Sequence, residues 1–388
     1  MTLRGIVSER ADTLPEEEIG SLLKIAAERK DIISLGPGEP DFTPPKHVIN
    51  AACSAIKKGF THYSPVEGRM ELLQAISKKL KSENKIDVPP EQVVVTNGSN
   101  EAIMLSLLSI IDPGESCFVP DPGFLAFIPM VEMLNGYPIS MPLRYEKDFQ
   151  ADVSDLKKLV EPKKTKAIIV NTPSNPTGTV FPKKVLEEIA SFAVENNLLI
   201  ISDEAYEKFV YDTNHISIGS LNGMANYVLT LQSFSKSYGM PGFRVGYAAG
   251  PSKIIKAMRY LHIFVSLSAP TPSQFAAVAA LEGPQTSVKK HVDEYNKRRV
   301  FLTKRINELE GFECKEPQGA FYIFAKYDYK MKSREFASWL LKNAKVAVVP
   351  GADFGKYGEG FLRFSFATKL NLIEKAMDRI ERATKKLK

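Results

Sequence analysis

Cysteine is scarce in this sequence: three in 388 residues, at Cys53, Cys117 and Cys314. An odd count at such wide spacing builds neither a disulfide framework nor a metal-binding pair, so reduced thiols in a cytoplasmic protein are expected. Long apolar runs are missing as well. No stretch approaches the roughly 18 residues that a membrane span requires, and the first residues, MTLRGIVSERADTLPEEE, lack the apolar centre of a secretion signal. Charge of one sign is also in short supply, because 51 Lys and Arg face 45 Asp and Glu and leave only +6. The densest basic runs, KKLKSENK from Lys78 and the KKLK tail, read as solvated helix faces, so neither nucleic acid nor membrane is expected as a partner. Two nucleotide-binding signatures are absent too. The glycine turn at Gly98 does not fit G-x-G-x-x-G, and no GK[ST] occurs.

What is present is an ordinary globular composition, 44% hydrophobic and 25% charged, with enough chain for two domains. No repeat or low-complexity linker interrupts it. Thr13 with Glu16 forms a capping box, and Ile19, Leu22, Leu23 and Ala26 follow at helical spacing, which predicts an amphipathic helix. From about residue 90 to 250, short apolar runs (QVVVT, SCFVP, AIIVN, NLLIIS, YVLTLQ and VGYAAG) alternate with helical patterns such as NEAIMLSLLSII and KKVLEEIASFAVEN. This alternation predicts an α/β domain with a mostly parallel sheet covered on both faces. The texture changes after about residue 285. A charged helix precedes the strands GAFYIF, VAVVP and FLRFSFA, and a last amphipathic helix presents Leu372, Ile373, Ala376, Met377 and Ile380 on one face. The expected organisation is a large domain over residues 41–285 inserted into a smaller α+β domain made of residues 1–40 and 286–388.

Ligands bind beyond the carboxyl ends of parallel strands, so the residues that follow each run matter most. QVVVT leads to Gly98, Ser99 and Asn100 at a helix start, where free N–H groups can seat an anion. SCFVP leads to a turn with Phe124, and AIIVN leads to NTPSNPTG with Asn175. NLLIIS ends at Asp203, with Tyr206 close behind. YVLTLQ runs into Ser233, Ser235 and Lys236, then Arg244. Singly these are caps, turns and surface charges. Together they match the needs of pyridoxal 5'-phosphate. Helix N–H groups, hydroxyls and a guanidinium suit the phosphate, an aromatic suits the ring face, a carboxylate suits the pyridine nitrogen, and a lysine suits the aldehyde.

The motifs ISLGPGEPDF, THYSPVEG, TNGSNEA, NTPSNPTG, SDEAYE, SFSKSYGMPGFRVGY, GAFYIF and VVPGADFGKYGEGFLRFSFA occur in an order that resembles the class I/II aminotransferases of pyridoxal phosphate fold type I, especially the archaeal aromatic and aspartate enzymes. The resemblance covers nearly the whole chain and implies a mostly parallel seven-stranded sheet in the large domain. It also implies a role for each residue. Lys236 is similar to the Schiff-base lysine and general base, and Asp203 to the partner of the pyridinium nitrogen. Tyr206 and Asn175 would donate to the phenolic oxygen, and Phe124 would stack on the ring. Gly98, Ser99, Asn100, Ser233, Ser235 and Arg244 would hold the phosphate. Tyr63 would reach it from the other subunit, which implies a homodimer with shared sites. Gly38, Asn175 and Arg363 would meet the substrate carboxylate.

The implied reaction moves an α-amino group between an L-amino acid and a 2-oxo acid such as 2-oxoglutarate, in two half-reactions. In one aspartate-using subgroup a lysine in the helix-start motif meets the distal carboxylate. Here that position is Asn100, which favours an aromatic or broad-range enzyme over the aspartate aminotransferase alternative. A C–S β-lyase would use the same lysine. A transcription regulator built on this fold would need a winged-helix domain ahead of GEPDF, for which Gly38 leaves no room in this sequence.

Overall fold

The computed structural model describes residues 7–12, 29 and 31–387. The helix expected from Thr13 and Glu16 lies outside them. A seven-stranded sheet dominates the architecture. Its strands are β2 (Val93–Thr96), β3 (Ser116–Asp121), β4 (Tyr137–Pro142), β5 (Thr165–Asn171), β6 (Leu199–Asp203), β7 (Val228–Ser233) and β8 (Gly246–Ala249), in the order β2-β8-β7-β6-β5-β3-β4. β7, β6, β5, β3 and β4 pair in parallel, while β8 runs antiparallel to both of its neighbours.

The sheet is covered on both faces because consecutive residues of its central strands, Ala167–Val170 of β5 and Leu199–Ile201 of β6, are apolar. On β5, Ile168 and Val170 join one core while Ala167 and Ile169 join the other, and Ile200 and Ile201 of β6 divide in the same way. The helix Lys183–Glu195 buries Leu186, Ile189, Phe192 and Ala193 against the first core. The helix Ser99–Leu108 buries Ala102, Ile103, Leu105 and Leu107 in the second. Each fully buried Leu, Ile or Phe side chain contributes about 1.5–3 kcal/mol relative to exposure.

A smaller assembly packs beside this layer. Its antiparallel sheet comprises β9 (Phe312–Glu313), β10 (Tyr322–Tyr327), β12 (Val349–Pro350) and β13 (Phe361–Ser365), ordered β12-β13-β10-β9. The final helix, Leu370–Thr384, buries Ile373, Ala376, Met377 and Ile380 in the same core as the long helix Thr286–Asn307. The chain before the large sheet also joins this assembly. Strand β1 (Ile33–Ser34) pairs in parallel with β11 (Val346–Ala347), and Ser365 donates its N–H to the Leu35 carbonyl at 2.7 Å. The segment after β1, GPGEPDF, is thereby drawn across towards the carboxyl ends of the large sheet. Tyr295 and Arg298 of the long helix hold Asp41 there, the latter at 2.9 Å.

Candidate active site

The parallel strands end along one edge, and the residues singled out from the sequence collect there. Ser233 closes β7 and caps the one-turn helix Phe234–Ser237, its Oγ accepting the Ser235 N–H at 3.1 Å. This turn aims Lys236 back over the edge, where Nζ donates to the Gly38 carbonyl of GPGEPDF. Around Nζ lies a cavity of 190 Å³ lined by Ser99, Asn100, Phe124, Asn171, Asn175, Asp203, Ala205, Tyr206, Ser233, Ser235, Lys236 and Arg244. It contains every expected cofactor residue except Gly98, which lies directly behind Ser99, and Tyr63, whose side chain is 82% exposed on the surface of this chain.

One end of the cavity is shaped for an anion. Gly98, at φ +85°, opens the helix Ser99–Leu108. A Cβ at this position would lie 2.6 Å from Nη2 of Arg244, so only glycine lets the guanidinium sit this close to the helix start. Arg244 is fixed by donating to the carbonyls of Pro241 at 3.0 Å and Asn97 at 3.1 Å. First-turn N–H groups, the Ser99, Ser233 and Ser235 hydroxyls and one guanidinium therefore converge. Asn100 and Arg244 are exposed, so this is the open end.

The other end is buried and unusually charged. Asp203 is 5% exposed, and its Oδ1 accepts only the Ala205 N–H at 3.2 Å among the described residues. Burial outweighs that bond and raises its pKa to about 6, with the neighbouring Glu204 charge adding to the shift. Lys236 moves the opposite way, to about 8, chiefly by burial and then by the Arg363 charge. Arg363 and Gly38 do not line the cavity itself; Arg363 extends from β13, is 3% exposed and reaches the cavity wall through Asn175. It donates to Asn175 Oδ1 at 2.9 Å and to the Gly36 carbonyl at 2.6 Å, while its Nε finds no partner among the described residues. Burial lowers its pKa as well.

The sequence reading missed several contributors. Tyr322 of β10 shares a 2.8 Å hydrogen bond with Tyr206, and its ring centre lies 4.3 Å from the Arg363 guanidinium carbon. Asn171, the last residue of β5, accepts the Asn175 N–H at 2.9 Å and donates to the Asp203 carbonyl at 3.2 Å. Gly36 supplies the carbonyl that orients Arg363. Glu204 turns away from the cavity into a buried network, accepting from Ser202 at 2.9 Å and Ser217 at 2.6 Å, while Glu207 pairs with Lys79. Glu204, Glu207 and His215 offer atoms within 4.8 Å of one another, but the Lys79 ammonium already supplies the cation there.

Comparison with known proteins gives a consistent result. A sequence model described as "Aminotransferase class I and II" matches residues 30–380. The chain is 44% identical over 387 residues to an aspartate aminotransferase of Pyrococcus abyssi, covering 98% of this chain and 99% of the relative. It is 42% identical to aromatic-amino-acid aminotransferase 2 of Thermococcus litoralis, with the same coverages. The crystal structure of an aromatic aminotransferase from Pyrococcus horikoshii superposes with a TM-score of 0.90 at 43% identity, over 94% of this chain and 99% of that one.

Proposed function

Because this chain belongs to the class I and II aminotransferases, we propose that it uses pyridoxal 5'-phosphate to move the amino group of an aromatic or broad range of L-amino acids to 2-oxoglutarate. The observation that carries this reading is the pairing of an acid and a base across one small cavity. Among the described residues buried Asp203 forms no ion pair, and Lys236 is depressed towards the uncharged amine. A protonated pyridine ring would satisfy Asp203, and a phosphate would satisfy the helix start with Arg244. The orphaned Nε of Arg363 and the glycine cradle at Gly98 support the same fit.

When bound, the cofactor supplies an aldehyde carbon for the amine and a cationic ring that draws in the electron pair released at Cα. The chain does the rest. The anion seat would anchor the phosphate, and Phe124 would cover the ring. Asp203 would keep the ring nitrogen protonated. Tyr206 and Asn175 would donate to the phenolic oxygen, with Tyr322 orienting Tyr206, and Arg363 would grip the α-carboxylate beside Asn175 and the Gly38 backbone. Lys236 Nζ accepts the Cα proton as a free amine, which its lowered pKa favours near neutrality.

The open phosphate end and the exposed Tyr63 ring support a homodimer in which Tyr63 serves the partner's site. The pairing of β1 with β11 supports the expected small domain, in which the described residues 31–40 join 286–388 beside a large domain of 41–285. Among the described residues no helix is long and apolar enough to cross a membrane. With three unpaired thiols, we assign the protein to the cytoplasm.

The test is a half-reaction. Purified protein loaded with pyridoxal phosphate is titrated with single amino acids, and the 2-oxo acid released per site is measured. Stoichiometric release from phenylalanine, tyrosine or glutamate is expected. Release from none of the twenty amino acids overturns the reading, and pyruvate from cystathionine without added oxo acid replaces it with a β-lyase.

A further inference from the structure

Asp121 belongs to none of the motif roles described above, yet it is only 2% exposed at the end of β3, where the Phe124 turn begins. Its carboxylate is held by two donors from distant parts of the fold. Ser140 of the edge strand β4 donates to Oδ2 at 2.7 Å, and the backbone N–H of Tyr357 donates to Oδ1 at 3.0 Å. A second bond runs parallel to the latter, from the Gly123 N–H to the Phe354 carbonyl at 2.8 Å. Gly355 lies so close that any Cβ there would overlap Asp121 Oδ1. The segment Gly351–Gly358 is therefore clamped onto the start of the Phe124 turn. The same segment carries Phe354, a 2%-exposed ring whose centre is 4.9 Å from the Arg363 guanidinium carbon.

We propose that Asp121 is a positioning residue for substrate binding, fixing the distance between the Phe124 ring cover and the Arg363 carboxylate grip through the Gly351–Gly358 segment. The proposal rests on the roles given to Phe124 and Arg363 above. The two groups stand on different assemblies, Phe124 in the turn just past β3 of the large sheet and Arg363 on β13 of the small one. The Asp121–Tyr357 and Gly123–Phe354 bonds join the Phe124 turn directly to the segment that supports Arg363. Small errors of placement at such a junction cost rate and affinity steeply. An asparagine would keep most of the clamp, because its carbonyl oxygen accepts from Tyr357 and its amide can donate to Ser140 Oγ. Alanine offers neither.

The experiment uses the holoenzyme, with an aromatic amino acid and 2-oxoglutarate as substrates. Asp121→Ala should raise KM for both by roughly ten- to a hundredfold while pyridoxal phosphate stays bound, and Asp121→Asn should restore values to within about threefold of wild type. In an Arg363→Lys background, Asp121→Ala should add less than half of its own logarithmic effect, because both changes disturb one grip. A role confined to folding would lower Tm without moving KM and would combine additively with Arg363→Lys. Wild-type KM in Asp121→Ala, or additivity in a background where Arg363→Lys is itself impaired, overturns this inference alone. An Arg363→Lys enzyme with unchanged KM removes the role of Arg363 and this inference with it. If Asp121→Ala does not fold, Ser140→Ala carries the test. It should raise KM in the same direction, and an unchanged KM there overturns the proposal.

Discussion

The Tyr206 hydroxyl lies 2.8 Å from the Tyr322 hydroxyl, and the Tyr322 ring centre lies 4.3 Å from the guanidinium carbon of Arg363. One side chain from the small sheet thus touches both the phenol donor and the carboxylate grip. Gly38 closes the arrangement, since a Cβ there would approach the Tyr322 hydroxyl to 2.7 Å. Burial raises the pKa of both tyrosines, so each stays a neutral hydroxyl that can donate.

Tyr322→Phe keeps the ring against Arg363 and removes one hydrogen bond. The loss should be about 1 kcal/mol, roughly a fivefold fall in kcat/KM with cofactor content unchanged. Steady-state kinetics on fully loaded enzyme measures it. A fall as deep for Tyr322→Phe as for Tyr206→Phe would mean that Tyr322 itself touches the reacting groups.

Lys236 gives a pH signature in cofactor-free protein. Its folded pKa, about 8, lies below the ordinary 10.5. The folded chain therefore binds fewer protons between those values, and this group makes stability rise with pH across that window. Labelling of Lys236 by a small acylating reagent should level off above about pH 8, whereas labelling of a solvated lysine keeps rising towards about pH 10. Peptide mapping after brief labelling checks this. Lys236→Ala should abolish transamination while leaving noncovalent cofactor binding at the phosphate seat.

Asp203 shifts in the opposite sense. Its folded pKa of about 6 exceeds the ordinary 3.8, so the folded protein binds more protons between them and this group lowers stability as pH rises through that range. At pH 7 a bare carboxylate is held at a cost of about 3 kcal/mol. Cofactor-free Asp203→Asn should then be more stable than wild type near neutrality by an amount of that order and indistinguishable below about pH 4. The loaded variant should turn over more than tenfold more slowly, having lost charge stabilisation worth over about 1.4 kcal/mol in the transition state. Denaturant unfolding against pH and single-turnover rates test the two halves separately.

The cavity was legible because parallel strands announce themselves as apolar runs, and Lys236, Asp203 and Asn175 each stand just past one. What escaped the sequence reading has physical reasons. Strand β4 reads YPISMP, and its two prolines argue against a strand; they are tolerated because β4 is an edge, with a free side for the missing donors. The reversed direction of β8 is invisible in VGYAAG, since an apolar run carries no polarity. Tyr322 sits inside GAFYIF, where an aromatic is expected for packing alone, and only the fold brings it to a tyrosine 116 residues away in sequence. Asn171 closes AIIVN as an apparent strand end, and its amide becomes meaningful only when β5 and β6 place it opposite Asp203.

Selectivity separates two cations. Arg363 should matter for every amino acid, because all share the α-carboxylate. Its Nη1 and Nη2 are already committed to Asn175 and Gly36, which hold the guanidinium plane fixed between the Tyr322 and Phe354 rings. A lysine cannot meet both partners and still present a flat donor edge. Arg363→Lys should therefore lower kcat/KM by roughly ten- to a hundredfold, about 1.5–3 kcal/mol, for aromatic, aspartate and glutamate substrates alike. Asn100→Lys should act on the distal group instead. Asn100 stands at the exposed mouth of the cavity, whose lining cations, Lys236 and Arg244, already have assigned tasks. A lysine there supplies a free charge for a second carboxylate, so aspartate and glutamate should gain relative to phenylalanine and tyrosine. Competition assays with paired substrates read this ratio directly. A wild-type enzyme that already prefers aspartate strongly, or an Asn100→Lys variant that shifts all four substrates equally, would replace the aromatic or broad-range reading with an aspartate enzyme whose distal-carboxylate contact lies outside this cavity.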